Sequence, residues 1–265
     1  MIERAESRAW LRDTAPSRLS RLYRRADAVR REHVGDEVHL RGLVEVSNHC
    51  VRGCAYCGLS TTNRDLTRYR MTPAEILSSA LLAQRLGYGT IVLQAGEDPG
   101  LTRTWVADVV REVKETTGVA VTLSLGERSE EDLAAWREAG ADRYLLRFET
   151  SDPALYAAIH PTPPGRPDRF ALLGRLAALG YEVGSGVLVG IPGQTFESLA
   201  DDLLVFRQID LDMIGVGPYI PHPATPLGKG LLPTAPAGEQ VPADEETTTK
   251  VVALARLLRP DANIP

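Results

Sequence analysis

The sequence predicts an α/β fold, a parallel barrel of the TIM-type (β/α) kind with about six strand–helix units present. Three observations carry this. Short apolar, β-branched runs alternate with longer segments of helical periodicity from residue 36 onward, the pattern of parallel βαβ units. Residues able to do chemistry collect just after the apolar runs, at the strand ends where such a barrel builds its active site. The chain has 265 residues, 43% of them hydrophobic, enough for one barrel-type domain or two smaller ones.

In chain order, residues 8–32 read as one or two helices, with apolar residues at helical intervals among many arginines. Residues 36–47 read as the first strand, where Val38, Leu40, Leu43, Val44 and Val46 cluster after the turn-forming Gly35. Thr72 caps the next helix, Pro73 takes its first position and Glu75 completes a capping box; the helix ends near Gly87. Further strands are predicted at 90–94, 119–125, 143–149, 182–189 and 213–218. Helices fall between them at 102–116, 129–140, 153–160, 168–179 and 195–209. Thr195 caps the last of these, with Glu197 and Asp201 near the positive end of its dipole. A Pro/Gly-rich loop over 219–243 precedes a helix at 244–258. The chain stops at 259–265, where a seventh strand would begin and where an unpaired sheet edge would be exposed. The sequence therefore reads as a helical extension over 1–36 followed by a C-terminally truncated barrel over 37–265.

Bulk properties narrow the function. Net charge is −5, with no long basic run, which argues against nucleic acid as a partner. No apolar run reaches spanning length, which argues against a membrane span, and the first residues lack the apolar stretch of a secretory signal.

All three cysteines sit within eight residues, Cys50, Cys54 and Cys57, in a C-x3-C-x2-C spacing. A four-iron cluster normally takes four thiolates. Three, with no fourth in the chain, leave one iron without a protein ligand, and an open metal position is where a small molecule binds and reacts. The competing reading is a zinc site completed by His49 or His222, although zinc sites more often pair cysteines as C-x2-C doublets. An odd, tightly clustered set argues against disulfides and for a reducing cytoplasm.

The strand ends add polar residues. Gly96 and Glu97 follow the second strand, with a carbonyl and a carboxylate to offer an amine. Thr122 and Ser124 lie on the third. Arg143, Arg147 and Glu149 lie on the fourth, Arg147 and Glu149 two apart and so on one face. That pair is either a salt bridge filling the barrel or part of a site, since charges in an apolar strand need partners. Glu149 can accept from ribose hydroxyls, an arginine can hold a carboxylate, and Tyr56 inside the cysteine loop can contact adenine. His33, His39 and His160 read as surface or core residues, and His222 as a loop residue.

The cysteine spacing, with an aromatic before the last cysteine, resembles the radical S-adenosylmethionine (SAM) superfamily. The segments at 41–48, 50–59, 68–73, 91–99, 121–127, 141–147 and 217–223 resemble the HydE family of [FeFe]-hydrogenase maturases more specifically, over about residues 40–265. Biotin synthase and methylornithine synthase are relatives of the same architecture. The resemblance implies a [4Fe-4S] cluster on Cys50, Cys54 and Cys57, its fourth iron open to SAM, and reductive cleavage of SAM to a 5′-deoxyadenosyl radical. It implies SAM contacts from Tyr56, Glu149 and Arg169, with Gly96 and Glu97 at the methionyl amine. Ser124 would line the same cavity, and Met213 would lie near the methionyl group. Thr122 and Arg143 match positions that hold an anionic ligand deeper in the barrel, and Arg147 is counted with them as a substrate contact. The implied role is assembly of the hydrogenase diiron subcluster, on a small organometallic or amino-acid-derived substrate, with other maturases and an electron donor as partners.

Three departures stand out. Phe148 replaces a histidine common in the family and is expected to matter little, because strand alternation turns it away from Arg147 and Glu149. A second cluster found in many members is not expected here. The family continues past Pro265 with further cavity residues. The alternatives are a radical SAM mutase or sulfur-inserting enzyme of the methylornithine or biotin synthase type, and, from another class, an iron–sulfur carrier or electron-transfer protein.

Overall fold

The computed structural model describes residues 2–161, 168–231 and 235–265. Six strands, β1 (Arg41–Ser47), β2 (Thr90–Ala95), β3 (Ala120–Ser124), β4 (Arg143–Leu145), β5 (Glu182–Val189) and β6 (Met213–Pro218), form one sheet in the order β1 to β6. Every neighbouring pair is parallel, and the sheet curls into a half-barrel. The helices between strands are α3 (Pro73–Arg85), α4 (Arg103–Thr117), α5 (Glu130–Glu138), α6 (Pro153–Ile159), α7 (Arg169–Ala178) and α8 (Phe196–Gln208). α9 (Glu245–Leu258) follows β6, and α1 (Arg4–Arg12) and α2 (Pro16–His33) precede β1, packing against α8 and α9.

The helices start where capping chemistry allows. Thr72 and Glu75 form a reciprocal capping box, the Thr72 N–H donating to Glu75 Oε2 at 2.7 Å and the Glu75 N–H to Thr72 Oγ1 at 3.3 Å. Thr102, Ser129, Asp168, Thr195 and Asp244 each cap the helix that follows by accepting a backbone N–H. Among the described residues no helix is long and apolar enough to cross a membrane.

Strand alternation then sorts the side chains. Val44, Val46, Ile91, Leu93, Val121, Leu123, Tyr144, Val183, Val187 and Ile214 are buried in the core that the helices share. The opposite, concave face carries Gln94, Thr122, Ser124, Gly184, Gly186, Gly215 and Gly217, held level by parallel register such as Gln94↔Ser124 and Gly186↔Gly215. At Gly186 a methyl group would lie 1.9 Å from the Gly215 carbonyl oxygen, so close approach of β5 and β6 demands glycine there.

Two strands differ from expectation. β1 begins at Arg41 rather than residue 36, because β2 begins opposite it at Thr90 and leaves 36–40 without a ladder partner. Val38 and Leu40 are accordingly exposed, at 84% and 59%. β4 is only three residues long. Beyond it the Ser185 hydroxyl enters the ladder, accepting from the Phe148 N–H at 3.1 Å and donating to the Leu146 carbonyl at 2.7 Å. The chain stays alongside β5: a side chain stands in for the backbone pairing at the Leu146 carbonyl and the Phe148 N–H, and backbone bonds resume at Glu149, which bridges to Val187. Most of the Pro-rich loop before α7, residues 162–167, lies outside the described residues.

Candidate active site at the cysteine loop

The loop carrying Cys50, Cys54 and Cys57 leaves the C-terminal end of β1 and is tied down by backbone bonds from Val51 to the Glu97 carbonyl (2.9 Å), from Ala55 to Ile159 (2.8 Å) and from Leu227 to Ala55 (3.0 Å). Arg68 fastens its far end by donating to the carbonyls of Leu59 at 2.9 Å and Ser60 at 3.0 Å. Gly96 packs directly beneath: a methyl group there would lie 2.4 Å from the His49 carbonyl oxygen and 2.6 Å from Cys50 Cβ. Asp98 locks this arrangement. It is buried and accepts from Ser47 Oγ at 2.6 Å, from Arg70 Nε and Nη2 at 2.7 and 2.9 Å, and from the Gly100 N–H at 2.8 Å.

Cys54 is buried, and Cys50 and Cys57 are half-buried. Burial, then the neighbouring Cys57 and Cys50 thiolates, push the Cys54 thiol up to about 12, while Arg169 and Arg52 pull the other way. Burial also raises Cys57, helped by Cys50 and Glu149 and opposed by the Leu59 N–H and Arg68. Three thiols that repel one another as thiolates are a donor set that a cationic metal centre relieves, with release of protons on binding. Among the described residues no three His, Cys, Asp or Glu side chains converge on one point as a single metal ion needs. An iron–sulfur cluster takes each thiolate on a separate iron, chemistry that three cysteines of one short loop can supply. His222 packs its Nε2 edge against Gly58, next in the chain to Cys57, and its Nδ1 accepts from the Ala224 N–H at 3.2 Å.

Around this loop the structure gathers most of the expected residues. Tyr56 donates to Glu149 Oε1 at 3.4 Å, and burial, with Glu149 and Cys54 nearby, raises its phenol well above the ordinary value. Arg147 Nε lies 3.4 Å from Glu149 Oε2, yet that buried oxygen accepts no hydrogen bond among the described residues. A buried carboxylate oxygen that accepts no hydrogen bond, on the side chain that Tyr56 contacts, is a place for a ligand donor. Arg169, at the start of α7, donates to Glu127 Oε1 at 2.9 Å and to the Arg147 carbonyl, and its Nη2 touches His160 Nε2. Glu97 is buried and reaches this group through the Glu127 N–H (3.3 Å) and Arg52 Nε (3.9 Å). Ser124 ends β3 in register with Gln94 on the concave face.

Arg52, Glu127 and His160 belong to the same buried network; the sequence marks Glu127 as a strand-end residue without a role and does not single out Arg52 or His160 for the site. Arg52 Nη2 lies 3.4 Å from Glu127 Oε1 and 3.2 Å from His160 Nδ1. Arg52 lies inside the cysteine motif and Glu127 inside a quoted segment, so position was available as a signal; for His160, sequence offered none.

The remaining expected residues lie elsewhere. Thr122 sits midway down the concave face, its buried Oγ1 without a hydrogen-bond partner among the described residues. Arg143 opens β4 and pairs with Glu182 and, at 3.3 Å, Thr90 Oγ1, all at the N-terminal end of the sheet. Met213 opens β6 at that same end, its sulfur 3.9 Å from Arg41 Nη1. Met213 thus begins β6, which runs on through six residues to Pro218 at the other end of the sheet.

The chain matches the Radical SAM superfamily over residues 44–205. It is 46% identical over 273 aligned residues to the [FeFe] hydrogenase maturase subunit HydE of Thermotoga maritima, covering 100% of this chain and 75% of that protein. It is 29% identical to the 3-methylornithine synthase of Methanosarcina acetivorans, over 97% of this chain and 71% of the relative. Among solved structures, methylornithine synthase (PylB) superposes with a TM-score of 0.88 at 27% identity, covering 100% of this chain and 75% of its own. The maturase HydG shares the fold, with a TM-score of 0.84 at 22% identity over 99% of this chain and 59% of its own. This chain is therefore an enzyme of the radical SAM superfamily, a family defined by a [4Fe-4S] cluster and SAM, and a close homologue of HydE.

Proposed function

We propose that this enzyme acts in [FeFe]-hydrogenase maturation, as its HydE homologue is named for doing. In this reading Cys50, Cys54 and Cys57 hold the cluster, with one iron left to SAM. Together, cluster and SAM supply one-electron cleavage of a carbon–sulfur bond. The chain's own groups bind and orient. Glu97 and the Gly96 carbonyl accept from the methionyl amine, Arg169 holds the methionyl carboxylate, Glu149 accepts from the ribose and Tyr56 contacts the adenine. Ser124 lines the same space. Thr122 and Arg143, further down the concave face, and Arg147, beside Glu149, hold an anionic, small organometallic or amino-acid-derived substrate. Other maturases and an electron donor complete the system, and a reducing cytoplasm suits three free thiols. Helices α1 and α2 form an extension over 1–36 outside the barrel.

The observation that carries this reading is the 46% identity to HydE across the whole chain. The test is anaerobic reconstitution, followed by electron paramagnetic resonance of the reduced cluster with and without SAM, then activation of apo-hydrogenase with the other maturases present. A SAM-dependent spectral change with hydrogenase activation is expected. A spectral change without activation favours the mutase or sulfur-insertion reading, which the PylB superposition supports. A cluster indifferent to SAM leaves the carrier reading, against which a buried ring of arginines and glutamates speaks.

A further inference from the structure

Glu149 has a backbone φ of +65°, a region that non-glycine residues seldom occupy. The Thr150 N–H returns to the Phe148 carbonyl at 2.8 Å across it. This closes a three-residue turn of the rare and strained hand. Such a conformation persists only where its surroundings over-determine it.

The surroundings are specific. The Glu149 N–H donates to the Gly186 carbonyl at 3.0 Å, and its carbonyl accepts from Leu188 at 3.2 Å. The residues that follow are caught by Asp202, from the middle of α8. Asp202 Oδ1 accepts from Thr150 Oγ1 at 3.2 Å, from Ser151 Oγ at 2.6 Å and from the Ser151 N–H. Its Oδ2 faces Gln194 Nε2 at 3.4 Å. Gln194 in turn donates to the Leu188 carbonyl at 3.0 Å and accepts from the Gly190 N–H at 2.7 Å. Asp202 and Gln194 both have 0% exposure. A buried carboxylate is costly unless bonded on every side, and here its bonds go to the two loops that hold Glu149 in its turn.

We infer that Asp202 is a positioning residue for Glu149, fixing the strained turn that aims the Glu149 carboxylate at Tyr56 and the cysteine loop. The inference rests on the reading of Glu149 as a SAM contact given above. Asp202 touches neither SAM nor the cysteines; it acts through Thr150 and Ser151.

The test is a double-mutant cycle on anaerobic, cluster-loaded protein, reading SAM dissociation constants by equilibrium dialysis, with urea stability and hydrogen exchange of residues 149–151 as readouts independent of turnover. Asp202→Asn and Thr150→Val should each weaken SAM binding, Asp202→Asn by about tenfold, the worth of one charge-assisted hydrogen bond. In a Glu149→Gln background the same changes should cost less than about twofold, because coupled sites are not additive. Exchange at 149–151 should quicken in both single variants. Losses that multiply across the cycle, or full SAM affinity in folded Asp202→Asn and Thr150→Val, overturn the inference. If Asp202→Asn does not fold, Thr150→Val and Ser151→Ala decide alone. If Glu149→Gln itself binds SAM normally, the Glu149 reading falls and takes this inference with it, an outcome distinct from failure of the cycle.

Discussion

The Ser47 hydroxyl donates to Asp98 Oδ2 at 2.6 Å, and this bond fastens the end of β1 to the turn after β2. Burial alone would push the Asp98 carboxyl up. Hydrogen bonds from Arg70, Ser47 and Gly100 outweigh it and hold the group at about 2. Because the folded value lies below the unfolded one, the stabilisation is present above the unfolded value near 3.8 and is lost as pH falls toward about 2. Asp98→Asn should cost on the order of 1–3 kcal/mol at neutral pH, and the gap to wild type should narrow between pH 4 and 2 in urea titrations. A gap that stays constant over that window would show that the carboxylate charge is not what holds the turn.

Gly96 tests the cysteine loop from below. Its missing Cβ leaves room for the His49 carbonyl and Cys50, which a methyl group would meet at 2.4 and 2.6 Å, both contacts that the backbone must move to escape. Gly96→Ala should therefore lower iron incorporation while leaving far-ultraviolet circular dichroism near wild type. Full iron loading in that variant would mean that the loop has slack the packing does not suggest.

Asp202 sets a second pH dependence, of opposite sign. Burial drives its carboxyl up to about 7, against bonds from Ser151, Thr150 and Gln194 that favour the charged form. Those partners are all neutral. A folded value above the unfolded one means that its stabilising share is fully present below the unfolded value of 3.8 and is lost as pH rises through about 7. Asp202→Asn should abolish that decline, and the difference in urea midpoint between wild type and variant should shift between about pH 4 and 7. Parallel curves across that range would place the Asp202 titration elsewhere.

Phe148 shows what alternation reveals and what it hides. The sequence assigned it to the face away from Arg147 and Glu149, and it is indeed buried against Phe170 and Phe206 at centroid distances of 5.3 and 5.9 Å. Periodicity and caps made the strands and helices legible, since both are local. The early end of β4 was not legible, because a side chain from β5, Ser185, causes it. Nor was the left-handed turn at Glu149, which depends on Asp202 from a helix 53 positions along (202 minus 149). Arg52 and His160 were missed for the same reason: their meaning lies in partners distant in the chain. The low weight given to the histidine replacement also changes. Phe148→His puts a polar ring into an aromatic cluster and should cost about 1–3 kcal/mol, read as a lower melting temperature with SAM affinity retained.

Arg143 separates the two ends of the concave face. It shares its guanidinium with Glu182 and Thr90 at the N-terminal end of the sheet, and Thr122 pairs with it in register. Cysteines, Tyr56, Glu149 and Arg169 occupy the other end. A cation so placed is out of reach of SAM held at the cysteine loop, but it can meet the anionic end of a second molecule lying down the face. Arg143→Ala should leave SAM affinity and basal, substrate-free SAM cleavage within about twofold of wild type, while hydrogenase activation falls by about tenfold or more. Arg143→Lys should restore part of it, because the charge returns without the fork. Equal loss of SAM cleavage and activation in Arg143→Ala would place the residue at the cofactor instead, and would require the face to be shorter than the strands make it.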